Sequence, residues 1–265
     1  VEVRVVIAFL LVALSANASV YYAKVEPLEA YTIKASAGGT VVSTASDLEG
    51  TFVKDAVVVQ LDDALNKTEI KRAREKLTAL QNMEKATGEN LVNLEKIASL
   101  KQEQYNRIKD LKTKSQTAKE AEYIALVNAQ NQVVSARSSL HNLESQIADL
   151  TFKIESLQDT VAKKRIELGS MLLYALHVKE YDVVNVGATL AQVHDVSQGK
   201  LTLFLSAEDA KQAREKTLYL DDTPTEIGIH RLWPVADEEH ISSYKAEIII
   251  PAPKTFSALV KVEFK

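Results

Sequence analysis

The side chains that carry out chemistry in enzymes are thinly spread along this chain. The histidines His141, His177, His194, His230 and His240 show neither HxxxH nor HExxH spacing, so no helix face presents two imidazoles to one metal ion. With no cysteine, the chain has no disulfide, thiolate zinc site, cysteine nucleophile or lipobox-type lipid anchor. Met83 and Met171, the only methionines, are too few for methionine-based copper handling. The carboxylate run Asp237-Glu238-Glu239 could be drawn as an acid–base set or a cation site, and reads more simply as a solvated loop between strands. GxSxG and phosphate-loop motifs are missing. We therefore expect no enzyme activity, no catalytic, cofactor-binding or metal-ligating residue, and no cofactor. Recognition is the chemistry left. From Lys101 to Lys119 there are six basic residues (Lys101, Arg107, Lys109, Lys112, Lys114, Lys119) and two acidic ones (Glu103, Asp110). Such a cluster can pair with carboxylates or helix C-terminal carbonyls of another protein, the plain alternative being a solvated turn.

That cluster sits in the middle of a helical pattern. From about Ala64 to Lys164 the only glycine is Gly88 and there is no proline, while apolar residues recur at helical spacing. In the second half Leu126, Val133, Leu140, Ile147, Ile154 and Val161 are seven apart. Ala129, Ala136, Leu143, Leu150 and Leu157 follow three residues after the first five, giving the a and d seam of a coiled coil. The first half is less regular: Ile70, Ala73, Leu77 and Leu80 set one frame, and Leu94, Ile97, Ile108 and Leu111 another. The change near Gly88 predicts a stutter. Between the halves, 112–117 holds no apolar residue. Thr117 with Glu120 has capping-box spacing, so a second helix is expected from Ala118. Arms over 64–112 and 118–165, each roughly 70 Å long, predict an antiparallel coiled-coil hairpin over 63–165.

Composition agrees with two differently built regions. The 265 residues are 46% apolar and 26% charged, with eight glycines and five prolines, which favours a folded chain with long uninterrupted elements. Residues 63–165 carry 18 basic and 14 acidic side chains, leaving 14 and 22 for the rest; the net charge of −4 gives no reason to expect nucleic acid. Val5 to Ala23 is uncharged, with an apolar run to Leu14 after Arg4 and Ala16-Asn17-Ala18 beyond it. That order predicts a signal peptide or N-terminal membrane anchor over 1–23, hence export. Flanking the helices, Glu49 to Val59 aligns with Glu180 to Leu190 at a constant offset, pairing Val53 with Val184 and Gly50 with Tyr181. Each copy reads as strand, tight turn, strand. Two such halves can close into one small sandwich if the insert leaves and returns at neighbouring points.

These residues resemble the biotinyl/lipoyl half-motifs of the HlyD-type membrane fusion proteins, the periplasmic adaptor subunits of tripartite efflux and secretion systems. The motifs are Ala37-Gly38-Gly39-Thr40-Val41-Val42-Ser43 with Glu49 to Leu61, and Leu172 to Lys179 with Glu180 to Leu190. The similarity continues through Leu201 to Asp209, Ile229 to Asp237, Tyr244 to Ile250 and Leu259 to Phe264. It implies an α+β fold: a long antiparallel α-helical coiled-coil hairpin inserted in a split lipoyl-like β-sandwich, followed by a small antiparallel β-barrel. The halves of the lipoyl-like domain would be 24–62 and 166–197, and the barrel domain 198–265. A helical insert replaces the lysine-bearing turn of a true carrier domain, so no prosthetic group is implied. Ser206 with Asp209 is expected to cap a short helix, 207–215, that plugs the barrel, and Trp233 to pack in its core. The family's usual glycines are replaced by Tyr181 and by Ser257-Ala258, predicting slightly altered turns. No counterpart is matched to the membrane-proximal domain of many resistance-nodulation-division adaptors.

For function, the resemblance implies an adaptor at the inner membrane, in the periplasm, that forms a homo-oligomeric ring, a trimer or hexamer. Its partners would be an inner-membrane transporter of ABC or RND type and a TolC-type outer-membrane factor. In that family an Arg, a Leu four residues later and a Ser eleven after the Arg recur at the hairpin tip. Arg107 and Leu111 match, the third position is Ala118, and Lys114, Ser115 and Thr117 complete the implied channel contact. The alternative from another class is an exported coiled-coil envelope spacer that dimerises through its heptads without a transporter.

Overall fold

The computed structural model describes residues 19–236 and 240–265. Most of the expected leader or anchor, and the run Asp237-Glu238-Glu239, lie outside the described residues. Among the described residues no helix is long and apolar enough to cross a membrane.

The chain starts in β1 (Val20–Lys34), β2 (Gly39–Thr44), β3 (Phe52–Val53) and β4 (Ala56–Leu61), and enters the helices α1 (Ala64–Ile108) and α2 (Gln116–Lys163). It returns through β5 (Arg165–Leu168), β6 (Met171–Leu176), β7 (Val183–Val184) and β8 (Thr189–Leu205). The remainder is α3 (Ala207–Gln212), β9 (Leu218–Leu220), β10 (Thr223–Thr225), β11 (Arg231–Leu232), β12 (Tyr244–Pro251) and β13 (Leu259–Phe264).

The two copies of the repeat do close one sandwich. One sheet has the order β5-β4-β2-β7. The other is built by β3 on β6, β6 on β8 and the second half of β1 on β8. Between them Val41, Val58, Val59, Leu61, Leu173, Leu190 and Val193 are fully buried. Most of these β-branched and Leu side chains alternate inward along their strands; Val58 and Val59 are buried in succession where the β4–β5 register shifts. Gly50 has φ +79° and its counterpart Tyr181 φ +73°. The missing glycine therefore does not alter the turn; tyrosine is held in the same left-handed conformation, at a cost of about 1–2 kcal/mol. Ser257, φ +64°, repeats this before β13, where its N–H donates to the Val25 carbonyl at 2.8 Å.

The barrel is not formed by 198–265 alone. Residues 20–24 of β1 pair with β13, Val20 opposite Glu263 and Lys24 opposite Leu259, and Val25 to Pro27 pair with Leu201 to Gly199. Val20 to Ala23, assigned on sequence to the leader, and Lys24 to Pro27, assigned to the lipoyl-like half, thus complete the barrel. Ala23 and Val25 are buried with Leu201, Leu203, Leu205, Ala246, Ile248, Val262 and Phe264. Each fully buried leucine contributes about 1.5–3 kcal/mol. β1 and β8 both run unbroken from barrel into sandwich, with a bulge at Pro27 to Glu29. Pro27 lies opposite Gly199, where a Cβ would meet Ile250 Cγ1 at 2.8 Å and Val25 Cγ1 at 3.2 Å, so only glycine fits.

The plug helix α3 is shorter than expected. Ser206 caps it, its hydroxyl accepting from Asp209 N–H at 3.1 Å and donating to Asp209 Oδ2 at 3.0 Å. Tyr21 donates to the same carboxylate at 2.5 Å. Burial alone would raise the Asp209 carboxyl, but these hydrogen bonds and the Lys216 charge prevail and hold it below the ordinary carboxylate range. Trp233 does not join the barrel core. It is half-buried at the surface between Lys245, 4.8 Å from the ring centroid, and Arg231, 5.4 Å away, a cation–π arrangement.

Candidate docking site at the hairpin tip

The hairpin leaves the sandwich where a tight β-turn would otherwise stand. β4 and β5 pair antiparallel, Gln60 opposite Arg165, and Leu61 N–H donates to the Lys164 carbonyl at 2.8 Å. Lys164 Nζ donates to the Asp62 carbonyl and to Asn66 Oδ1, both at 2.8 Å. The two helices are thus clamped at the root, and their 45 and 48 residues carry the tip roughly 70 Å away.

Along the hairpin the seam is one continuous heptad. On α2 the a and d residues named above are all buried or half-buried. On α1 the positions turned inward are Ile70, Leu77, Glu84, Leu91, Ala98 and Tyr105, with Ala73, Leu80, Thr87, Leu94, Lys101 and Ile108. The expected stutter at Gly88 is not there. The register runs straight through, with Glu84, Thr87 and Lys101 occupying seam positions where an apolar pattern cannot display it. Ile97 and Leu111, taken as seam residues on sequence, are exposed.

At the tip the second helix starts at Gln116, two residues before the expected Ala118, and Ser115 is its cap: its hydroxyl accepts from Ala118 N–H at 3.3 Å. Thr117, the expected cap, is exposed in the first turn of α2. Ser115 precedes its N3 residue, Ala118, at the usual spacing, so two overlapping S/T signals compete and the earlier one is used. α1 stops at Ile108, and Leu111 N–H still bonds the Ile108 carbonyl at 3.1 Å.

The six sequence-derived site residues then divide. Arg107 lies in the last turn of α1 with its side chain 79% exposed and a 3.7 Å contact to Glu103. Leu111, Lys114, Ser115 and Thr117 are exposed around the turn, whereas Ala118 is half-buried. Lys101 and Lys119 are half-buried on the seam side. The apical positive charge therefore rests on Arg107, Lys109, Lys112 and Lys114, with Leu111 as an exposed apolar residue among them.

A clamp under the tip was not read from the sequence. Tyr105 and Tyr123 meet with ring centroids 5.4 Å apart, and Gln104 Nε2 donates to Glu122 Oε1 at 3.1 Å. Tyr105 lies seven residues beyond Ala98, so continuing the heptad through its polar members is the signal that finds it. The clamp fixes the two helix ends from which the turn projects.

No family model matches the sequence, and no curated protein matches it. Solved structures do. MacA from Actinobacillus actinomycetemcomitans superposes with a TM-score of 0.66 over 94% of this chain and 78% of that one, at 15% identity. The membrane fusion protein Spr0693 from Streptococcus pneumoniae R6 gives 0.56, covering 93% and 98% at 10% identity. A MacA–MexA chimera carrying the Pseudomonas aeruginosa MexA α-hairpin domain gives 0.53, covering 94% and 81% at 16% identity. The chain has the fold of these membrane fusion proteins, as its motifs implied.

Proposed function

We propose that the protein is a periplasmic adaptor that performs no covalent chemistry and joins an inner-membrane transporter to an outer-membrane channel for efflux or secretion. The observation that carries this reading is the hairpin itself. It is rooted in a closed sandwich and extends a cationic tip, centred on an exposed leucine, roughly 70 Å from it. In this reading Arg107, Lys114, Ser115 and Thr117 offer hydrogen bonds and charge to a TolC-type channel mouth, and Leu111 packs between its helices. The half-buried Ala118 serves the turn more than the contact. The barrel faces a transporter of ABC or RND type, the chain is held at the inner membrane, and copies assemble as a ring, trimeric or hexameric.

A photo-crosslinking residue at Leu111 in intact cells, with Glu89 on the outer face of α1 as control, tests it. An adduct to an outer-membrane channel from Leu111 alone is the expected result, and Arg107→Glu or Leu111→Asp should abolish export at unchanged protein level. Normal export by both variants, with self-adducts only, would replace the adaptor by the envelope spacer.

A further inference from the structure

Between barrel and sandwich the ribbon of β1 and β8 changes partners. β8 pairs with β6 through Ala191 to His194 and with β12 from Gln198 onward, and β1 pairs with β13 only up to Lys24. The pairing on this stretch is irregular at two points. Pro27 lies opposite Gly199 and Glu29 opposite Asp195, so residues 196–198 of β8 face Leu28 alone. On β6, Leu173 lies opposite Val193 and Ala175 opposite Gln192, which makes Tyr174 the extra residue of a bulge. Bulges re-aim side chains and recur beside functional sites.

The notch left there is a cavity of about 420 Å³, within the range that takes a small organic ligand. Leu172, Tyr174 and His194 line its sandwich side, and Lys24, Lys200 and Phe256 its barrel side. Leu172, His194 and Ala30 form one row across three strands. The bulge turns Tyr174 onto that row, where its ring stacks on His194 with centroids 4.4 Å apart and planes 23° from parallel. Tyr174 is nevertheless 54% exposed, so the stack ends in an open aromatic surface. Burial holds His194 below the ordinary imidazole pKa, leaving its ring neutral at pH 7. Phe256 is fixed opposite by two 2.8 Å backbone bonds between Val25 and Ser257-Ala258.

The wall is cationic on balance. Lys24 and Lys200 stand there with one carboxylate, Glu26, and that group already accepts from the Thr202 hydroxyl at 3.2 Å. Lys200 Nζ has only a 4.0 Å contact to Glu29, and among the described residues Lys24 has no ion pair. A cationic ligand would meet two lysines, and a purely apolar one would cover their ammonium groups without compensation. A flat anion suits both sides: its ring extends the stack of Tyr174 and His194 between Leu172 and Phe256, and its charge lies towards Lys24 and Lys200.

We propose that this cavity is a binding site for a planar aromatic carboxylate, seated on Tyr174 and His194 and paired in charge with Lys24 and Lys200. Such a ligand touches sandwich and barrel at once and ties them together where the strand pairing is irregular. The site uses no residue of the hairpin and stands apart from the adaptor reading.

Calorimetric titration of the purified full chain with 2-naphthoate, beside neutral 2-naphthylmethanol and cationic 2-naphthylmethylamine, tests the site. The naphthoate should bind with a Kd on the order of 100 µM, the alcohol about tenfold more weakly, and the amine not at all. Tyr174→Ala should weaken the naphthoate about tenfold, whereas Tyr181→Ala, which removes a tyrosine exposed elsewhere on the sandwich, should leave it unchanged. Lys24→Gln should bring the naphthoate down towards the affinity of the alcohol without changing the alcohol, a split that loss of folding does not produce. In hydrogen exchange the bound chain should gain protection at 172–174 and 256–258 together. No naphthoate binding, equal binding of all three compounds, or undiminished binding by Tyr174→Ala overturns the site. Crosslinking at Leu111 involves none of these residues, so a failed titration leaves the adaptor standing and a missing channel adduct leaves the site standing.

Discussion

The inner and outer halves of the hairpin share one heptad register and are stabilised in different ways. Near the root, Ile70, Ala73 and Ile154 form a buried cluster with Leu77, Leu150, Leu157 and Val161 against it. Beyond Leu80 no residue of α1 is buried to that degree, and Glu84, Thr87 and Lys101 take turns with Leu91 and Leu94 in the seam. Apolar seam residues fix pairing and supply stability, whereas polar ones keep the register while lowering stability. On α2 the seam stays buried towards the tip, with Leu126, Ala129 and Ala136 all covered, so the polar α1 positions weaken the outer half without opening it.

Removing a root contact is the strongest way to test the contrast. Ile154→Ala should cost about 2–4 kcal/mol and lower amide protection on both helices near residues 70–80 and 150–160. Leu94→Ala, in the half-buried outer seam, should cost about 1 kcal/mol and leave the root protected. Equal losses in hydrogen-exchange measurements would erase the distinction. A gain sharpens it: Glu84→Leu replaces a half-buried carboxylate in the seam and should add about 1 kcal/mol, visible as slower exchange between 80 and 98. The smallest change lies outside the hairpin, in the sandwich that anchors it. Tyr181→Gly should relieve up to about 1 kcal/mol of left-handed strain, raising the midpoint for loss of sandwich structure without altering exchange in the outer hairpin.

The parts of this architecture that the sequence displays are those with local periodicity. Equal arms, the five clean heptads of α2 and the duplicated strand-turn-strand around Gly50 and Tyr181 can be counted, and each stands where it was expected. What was hidden needed partners far away. Val20 pairs with Glu263 across nearly the whole chain, and no short-range pattern announces that the strand beginning at Val20 finishes a barrel made mostly of the last residues. The continuity of α1 was masked because Glu84 and Thr87 fill seam positions with polar side chains, so the apolar residues around Ile97 suggested a false second frame. At the tip Arg107 and Leu111 were legible as types and spacing. Their exposure was not, nor was the choice of Ser115 over Thr117 as cap, which depends on where the turn after Ile108 lets α2 begin.

The two strands that run unbroken from barrel into sandwich give the molecule a leaf spring. β1 and β8 form a ribbon that resists stretching through its row of backbone hydrogen bonds and yields most readily out of its own plane, where Pro27 interrupts the ladder opposite Gly199. A pull along the long axis is passed on nearly undiminished, while a sideways tilt is absorbed at that crossing, so the far end can stay aimed as the near end rocks.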